Sequence, residues 1–497
     1  MPAAISEIME RTGVRFGTSG ARGLATQLTD FVAYAYTRGF LQYLREVGEL
    51  PAGGAPVAVA GDFRPSTPRI MAAVLRAATD LGHRPVPCGR IPSPAVALYG
   101  LTRRAPAIMV TGSHIPADRN GIKFNKASGE VLKDDEAGIT RQVVDVPAEL
   151  FDAAGAFCTP SPDFGPEEPA AVREYVARYV DFFPAGCLRG LRLGVYQHSA
   201  VGRDVLVEIY TALGAEVTPL GRADGFIPVD TEAIRPEDVA LAREWAAEGR
   251  FDAIVSADGD SDRPLISDEH GRWIRGDVAG VLAAKFLDAD SVSAPVSCNS
   301  AVDLCGWFPE VRRTRIGSPF VVAAMLAAAA AGRRCVVGYE ANGGFLLGSD
   351  VAHDGRTLRA LPTRDAVIVH LGLLLLARRE GRTLSQLVAT LPPRFTASGL
   401  LKNCPVEKSA AILARFSGPD DAANRRALAA AFGPDLGAVT ALDRTDGVRA
   451  TFANGEVVHL RPSGNAPEFR GYTEAADEAR AGELNARCLE VIARMAA

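Results

Sequence analysis

No stretch of this sequence is apolar for long enough to cross a bilayer. The two most apolar runs, FVVAAMLAAAAAG (residues 320–332) and AVIVHLGLLLLARR (366–379), fall short of the ~20 residues a membrane helix needs and read as buried helices. The first residues, MPAAISEIMERTG, carry acids and no apolar core, so a signal peptide is not expected there. The eight cysteines never form C-x-x-C, and in so long a chain they read as reduced thiols. Charge of one sign is not in large excess. The net charge is −5, with acids and bases spread throughout. That argues against a basic nucleic-acid surface, although a local phosphate pocket does not show in a total. No repeat of fixed period is present, which excludes a solenoid. The expectation is a cytoplasmic protein that engages neither membrane nor nucleic acid; monomer and homodimer fit equally.

What is there is ample. With 497 residues the chain is too long for one core, and several domains are expected. It is 47% hydrophobic and 23% charged, as globular chains are. A short β-branched run repeatedly ends in a glycine-rich or acidic loop, with Ala- and Leu-rich helical segments following. The cases are APVAVAGDFRPS, APAIMVTGSH, FDAIVSADGDSD, RCVVGYEANGG and EVVHLRPSGN. Alternating strands and helices predict α/β units with parallel sheets, with ligands beyond the carboxyl ends of strands. CTPSPDFGPEEPA (158–170) and ATLPPRFTASG (389–399) read as linkers, and a turn falls near Gly276. The expected domains are 1–165, 166–275, 276–395 and 396–497.

Four of these loops carry chemistry. In ADGDSDRP, Asp258, Asp260 and Asp262 alternate, so three carboxylates can face one side of an extended loop. Carboxylates this close repel, and a hard divalent cation relieves the repulsion. An EF-hand-like calcium loop with Glu269 at its twelfth position would need glycine at the sixth, where Arg263 stands before Pro264. Mg²⁺ is therefore expected ahead of Ca²⁺. In RPSGNAPEFR, Arg461 and Arg470 flank Ser463, Gly464 and Asn465. Gly464 lets backbone N–H groups approach an anion, and guanidinium matches phosphate oxygens. In GYEANGGF, Glu340 and Asn342 suit neighbouring sugar hydroxyls, although Asn-Gly-Gly is also ordinary turn chemistry. RFGTSGARG, with Arg15, Ser19 and Arg22, reads as an anion loop or a turn.

The remaining loop, APAIMVTGSHIPADRNGIKF, delivers Ser113 at a strand end. A hydrolase serine would sit in G-x-S-x-G, and TGSHI lacks the second glycine. His114, adjacent in sequence, is expected to point away from it. A metal loop, a phosphate clamp and a lone serine suggest phosphoryl transfer rather than acyl transfer.

In these motifs the chain resembles the α-D-phosphohexomutase superfamily. TGSHIPADRNGIKF looks like its active-site serine loop, DGDSDR its metal loop, YEANGG its sugar loop and RPSGNAPEFR its C-terminal phosphate loop, in family order across nearly the whole length. The resemblance implies an α/β fold of four domains around a central cleft: three related units with mixed sheets, and a distinct C-terminal α+β domain. It implies that Ser113 is a phosphoserine and that Asp258, Asp260, Asp262 and a phosphoserine oxygen hold Mg²⁺. It implies that Lys123, Arg22, Arg263 and His114 belong to the catalytic centre, with Lys123 a candidate for acid–base help. Glu340 and Asn342 would hold ring hydroxyls, while Arg461, Ser463, Gly464, Asn465 and Arg470 would hold the phosphate that is not reacting. The implied reaction interconverts hexose 6-phosphate and hexose 1-phosphate through a hexose 1,6-bisphosphate, with mannose phosphates preferred. A phosphoglucomutase, a hexosamine-phosphate mutase and a non-catalytic sugar-phosphate-binding protein are the alternatives. Two loops depart from the family pattern. The sugar loop commonly ends in Ser-Gly-His, where Asn342, Gly343 and Gly344 stand here. The phosphate loop usually reads S-G-T-E-P, where Asn465 and Ala466 replace Thr and Glu.

Overall fold

The computed structural model describes residues 2–17, 20–462 and 468–496. Two compact units emerge: Met1–Asp290 with Gly317–Gln386, and Ser291–Ile316 with Leu387–Ala497.

In the first unit, strand Pro56–Gly61 lies parallel to Arg84–Gly89 on one side and to Ala107–Val110 on the other. The chain leaves Val110, turns through the serine loop and returns antiparallel as Arg119–Lys126, with Ala21–Leu24 beyond it. Residues two apart on a strand share a face. The pairs Val57 and Val59, Ile108 and Val110, and Ile122 and Phe124 are buried in one core together with Phe40 and Leu41 of helix Asp30–Glu46. Each such side chain contributes about 1.5–3 kcal/mol on burial. That helix starts where Thr29 accepts a hydrogen bond from the Val32 N–H.

The same device recurs twice in this unit. Arg192–His198 is parallel to Glu216–Arg222 and to Ala253–Ala257; the latter runs into the acidic loop and returns antiparallel as Pro264–Ile266. Val336–Tyr339 leads through the Glu340 loop into antiparallel Phe345–Leu347. The expectation of helices directly after these loops is therefore corrected. A parallel crossover needs a dozen or more residues, and each of these loops is too short for one, so the chain can only fold back antiparallel. The sheets are mixed.

Helix Ala366–Glu380 is buried almost all round, as expected of so apolar a run. Ser318–Ala330 is not. It buries Val321, Val322, Met325 and Ala328 along one face and leaves Leu326 57% exposed. Among the described residues no helix is long and apolar enough to cross a membrane.

In the second unit, five strands lie in the order Phe395–Lys402, Glu468–Ala475, Val457–Pro462, Val448–Phe452, Val439–Asp443, all antiparallel. The run EVVHLRP is thus not in a parallel sheet. Consecutive short strands joined by tight turns pair with their neighbours, which makes this region α+β. Phe452, Val458, Leu460 and Phe469 meet Leu484, Cys488 and Ile492 of helix Glu478–Ala496 in its core. Ser291–Pro295 and Val311–Thr314 form a parallel pair in the same unit.

Candidate active site

Ser113 lies just past the end of its strand in a left-handed conformation, with φ 54°. It is wholly buried. Its Oγ donates to Asp258 Oδ2 at 2.5 Å, and its N–H donates to Thr111 Oγ1 at 2.7 Å. A left-handed non-glycine residue costs about 1–2 kcal/mol, so something must hold it. That group is Arg64, a residue not singled out from the sequence. Its guanidinium, wholly buried, donates to the carbonyls of Ser113 (2.9 Å), Ile115 (2.6 Å), Pro116 (2.6 Å) and Arg119 (2.9 Å) and to Asp62 Oδ2 (3.1 Å). All five of its N–H donors are spent. Asp62 in turn accepts from Thr67 Oγ1 (2.6 Å), Thr111 Oγ1 (2.8 Å) and the Gly112 N–H (3.3 Å). Gly112 has no room for a side chain, because a Cβ there would sit 2.5 Å from the guanidinium carbon. The signal was the DFR of the preceding strand loop, but nothing local says that an arginine will turn inward.

Around Ser113 the named residues converge. Lys123 Nζ lies 2.5 Å from both Asp260 Oδ2 and Asp262 Oδ2. Asp258 Oδ1 accepts from the N–H groups of Asp262 and Arg263, each at 3.2 Å. Burial, then the charges of Asp260 and Asp262, push the Asp258 carboxyl well above the ordinary carboxylate range. Burial also opposes ionisation of Asp262, but Arg364, Lys123 and Arg263 outweigh it and hold that group low. Arg263 Nη1 is 2.8 Å from His114 Nδ1, which is itself 3.4 Å from Ser113 Oγ. His114 therefore does not point away from the serine as expected. Its Nδ1 is the acceptor for a guanidinium, and burial with Arg263 and Arg22 drives its pKa far down. It stands neutral, with no proton on the nitrogen nearest the serine. Burial, Arg263 and Arg364 push Arg22 down to about 10, so it stays charged at neutral pH. Its Nη2 is shut from solvent and has no hydrogen-bond partner among the described residues.

The three aspartates are buried, and each offers an oxygen within 4.8 Å of the others. Asp260 Oδ1 and Asp262 Oδ1 are buried without a hydrogen-bond partner. Such oxygens fit a hard cation. The loop is anchored by the Ser93 N–H on Asp260 O, the Val201 N–H on Gly259 O and the Gly202 N–H on Ser261 Oγ. It lies between two strands rather than two helices. Glu269, the twelfth residue, takes the Ser385 N–H at 3.1 Å instead of facing the loop, which removes the calcium-loop alternative.

Glu340 and Asn342 are both buried. Asn342 Oδ1 accepts from the Gly344 N–H at 2.9 Å, so its carbonyl end is committed to its own turn. Arg364, also unforeseen, is 1% exposed. Its Nε lies 3.1 Å from Asp262 Oδ2 and its Nη1 3.5 Å from Glu340 Oε2. Gly344, where the family pattern carries histidine, faces this side chain: a Cβ there would be 2.5 Å from Arg364 Cδ. Four carboxylates (Asp258, Asp260, Asp262, Glu340) thus meet four cations (Arg22, Lys123, Arg263, Arg364). A site with this balance can take a phosphoryl group of nearly two negative charges together with a divalent cation at no net change in charge.

In the second unit, Arg461 Nε pairs with Asp446 Oδ2 at 3.0 Å, and Asp446 also takes the Ile316 N–H at 2.9 Å. Arg470 Nη2 is 3.7 Å from Glu468. Their strands are partners, with Arg461 opposite Arg470 in register. Ser463, Gly464 and Asn465, like Ser19, lie outside the described residues.

The phosphoglucomutase/phosphomannomutase α/β/α domain I matches residues 13–147, domain III of the same enzymes matches 275–395, and their C-terminal domain matches 401–491. A phosphomannomutase of Sinorhizobium fredii is 43% identical over 480 residues, 97% of this chain and 99% of that protein. A phosphomannomutase of Salmonella muenchen is 42% identical over 470 residues, 94% and 93% of the two chains. The crystal structure of a phosphoglucomutase/phosphomannomutase family protein from Burkholderia thailandensis shares the fold with a TM-score of 0.71 at 20% identity, covering 97% of this chain and 98% of that one. The chain belongs to the phosphoglucomutase/phosphomannomutase family of the α-D-phosphohexomutase superfamily and is a phosphohexomutase.

Proposed function

We propose that this enzyme interconverts mannose 6-phosphate and mannose 1-phosphate in the cytoplasm, with Ser113 as the phosphoryl carrier. One observation carries the reading: a buried serine hydroxyl lies 2.5 Å from Asp258, in a loop system whose three aspartates share their pocket with Lys123. The names of the relatives at 42–43% identity support mannose as the sugar. The four domains 1–165, 166–275, 276–395 and 396–497 are part of the proposal, supported by family matches over 13–147, 275–395 and 401–491.

In the first transfer, the free hydroxyl of the hexose phosphate attacks the phosphorus on Ser113. A phosphorus–oxygen bond to the sugar forms as the bond to Oγ breaks, and the sugar proton ends on Oγ. Lys123, which reaches Asp260 and Asp262 beside Ser113, is the candidate carrier of that proton. The hexose 1,6-bisphosphate turns over, and the second transfer reverses the first from the other phosphate. Asp258, Asp260, Asp262 and a phosphoserine oxygen would hold Mg²⁺, which when bound neutralises charge on the transferring group. Arg22 and Arg263 line the reacting phosphate; Arg22 has an Nη2 donor to spare. Arg461, Ser463, Gly464, Asn465 and Arg470 hold the other phosphate. Glu340 and the amide N–H groups of Asn342 hold ring hydroxyls.

The test is an intact-mass measurement with assays on mannose, glucose and N-acetylglucosamine phosphates. A species about 80 Da heavier, lost in Ser113→Ala, is expected from the phosphate. Mannose and glucose phosphates differ only at C2, so their kcat/KM values should lie within roughly a hundredfold of each other, given about 1–3 kcal/mol for one small group. A strong preference for the N-acetyl sugar would overturn the choice of mannose. A wild type that binds hexose phosphate without turning it over would make the protein a binder.

A further inference from the structure

Arg364 pairs with acidic groups from two different loops. Its Nε lies 3.1 Å from Asp262 Oδ2 of the acidic loop, and its Nη1 lies 3.5 Å from Glu340 Oε2 of the sugar loop. It is 1% exposed. Its stem lies against Gly344, where an added Cβ would come 2.5 Å from Cδ and 2.8 Å from Cγ. Only a glycine at 344 leaves the space that this stem fills.

The backbone around it is anchored on each side. Thr363 Oγ1 donates to Glu130 Oε1 at 2.7 Å, and Glu130 Oε2 also accepts from Ser318 Oγ at 3.1 Å. Asp365 caps helix Ala366–Glu380 by accepting from the Val367 N–H, and its own N–H donates to Phe345 O at 2.9 Å. The Asp365 carboxylate also takes the hydroxyls of Tyr175, at 2.7 Å, and Tyr179, both from helix Ala170–Val180. Residues 363 and 365 are thus bound to different elements, and the side chain between them lies buried against Asp262 and Glu340.

We propose that Arg364 is a positioning residue. It sets the sugar-loop carboxylate of Glu340 and the acidic-loop carboxylate of Asp262 at a fixed separation, so that where the sugar sits and where its phosphoryl is transferred are referred to one guanidinium. The inference rests on the proposed roles of Glu340 and the acidic loop. A planar, permanently charged fork suits the task. A lysine ammonium keeps the charge but is a point donor and cannot bracket two carboxylates in the same way. Misplacing a reacting group by about 1 Å costs on the order of a hundredfold in rate.

The experiment is a double-mutant cycle on the full-length protein: Arg364→Met, Glu340→Gln and the pair. It is read as kcat and KM for mannose 1-phosphate with saturating Mg²⁺, and as the Kd of mannose 1-phosphate by calorimetry. Thermal unfolding accompanies each variant. Each single change should lower kcat/KM by about a hundredfold. The double variant should lose little more than the worse single one, in Kd as well as in rate, because both changes break the same link. Arg364→Lys should keep the melting temperature near wild type without restoring kcat/KM. If Arg364→Met does not fold, the same cycle with Arg364→Lys decides the matter. Independent, multiplying losses, or a lysine variant with wild-type kcat/KM, would overturn the inference while leaving the function standing. A wild type inactive on every hexose phosphate would overturn the proposed function and the inference with it.

Discussion

Replacing Arg64 with methionine should disable the enzyme without touching a group that meets the substrate. The guanidinium makes five hydrogen bonds, four of them to carbonyls of Ser113, Ile115, Pro116 and Arg119 and one to Asp62. Both Arg64 and Asp62 are wholly buried. Removing one partner of a buried ion pair typically costs about 3–5 kcal/mol, because the other charge is left uncompensated. Asp62 has a way out, since burial already pushes its carboxyl above the ordinary range. Without Arg64 it takes up a proton, which caps the global loss. The four carbonyls have no such escape. The loop that keeps Ser113 at φ 54° should loosen, and kcat should fall on the order of a hundredfold through misplacement of the hydroxyl. A chain with two compact units need not unfold in one step, so the local readout is amide exchange over residues 112–120, which should speed up. The melting temperature should drop by several degrees, given about 2–4 °C per kcal/mol for a domain of 150–250 residues. Arg64→Lys, with at most three donors, should fall between. An Arg64→Met protein with wild-type exchange in this loop and wild-type kcat would refute the reasoning.

Three further outcomes are expected. Ser113→Ala and Ser113→Gly should both lose activity, but the glycine variant should be more stable by about 1 kcal/mol, because alanine keeps the strain at φ 54° and glycine relieves it; equal unfolding curves would count against that strain. Asp260→Asn should raise the Mg²⁺ needed for half-maximal rate, and chelator should abolish activity that added Mg²⁺ restores; full activity in excess chelator would remove the metal. Burial pushes His198 in the first unit and His459 in the second down to about 4, so the unfolded chain binds protons that the native one refuses. Their contribution to stability is complete above about pH 6.5 and is lost as pH falls from there to about 4, reaching about 2 kcal/mol per group near pH 5. Calorimetry at pH 7.5 and pH 5 should show the melting temperature falling, and a flat profile would mean that these rings are not held neutral.

Local patterns in the sequence were enough to pick out the acidic cluster and the serine beside it. Alternating Asp258, Asp260 and Asp262 after a β-branched run marked an acidic pocket, because alternation on an extended chain puts side chains on one face. The serine after a strand end was legible for the same reason, because strand and turn are short-range events, whereas the loop read from Arg461 and Arg470 centres on Gly464, outside the described residues. Burial of the helix Ala366–Glu380 followed from its composition, whereas the half-exposed face of Ser318–Ala330 did not, because nothing in an apolar run says which side will find a partner. Only the tertiary structure decided the rest. The short loops forced the strands back antiparallel, and that return carries Lys123 to two aspartates more than a hundred residues away. It also brought His114 against Arg263 and spent Asn342 Oδ1 on its own turn. Arg64 and Arg364 look in the sequence like two among many arginines. A guanidinium turns inward only where carbonyls and carboxylates from separate segments converge to replace its water, and that convergence exists only in the folded chain.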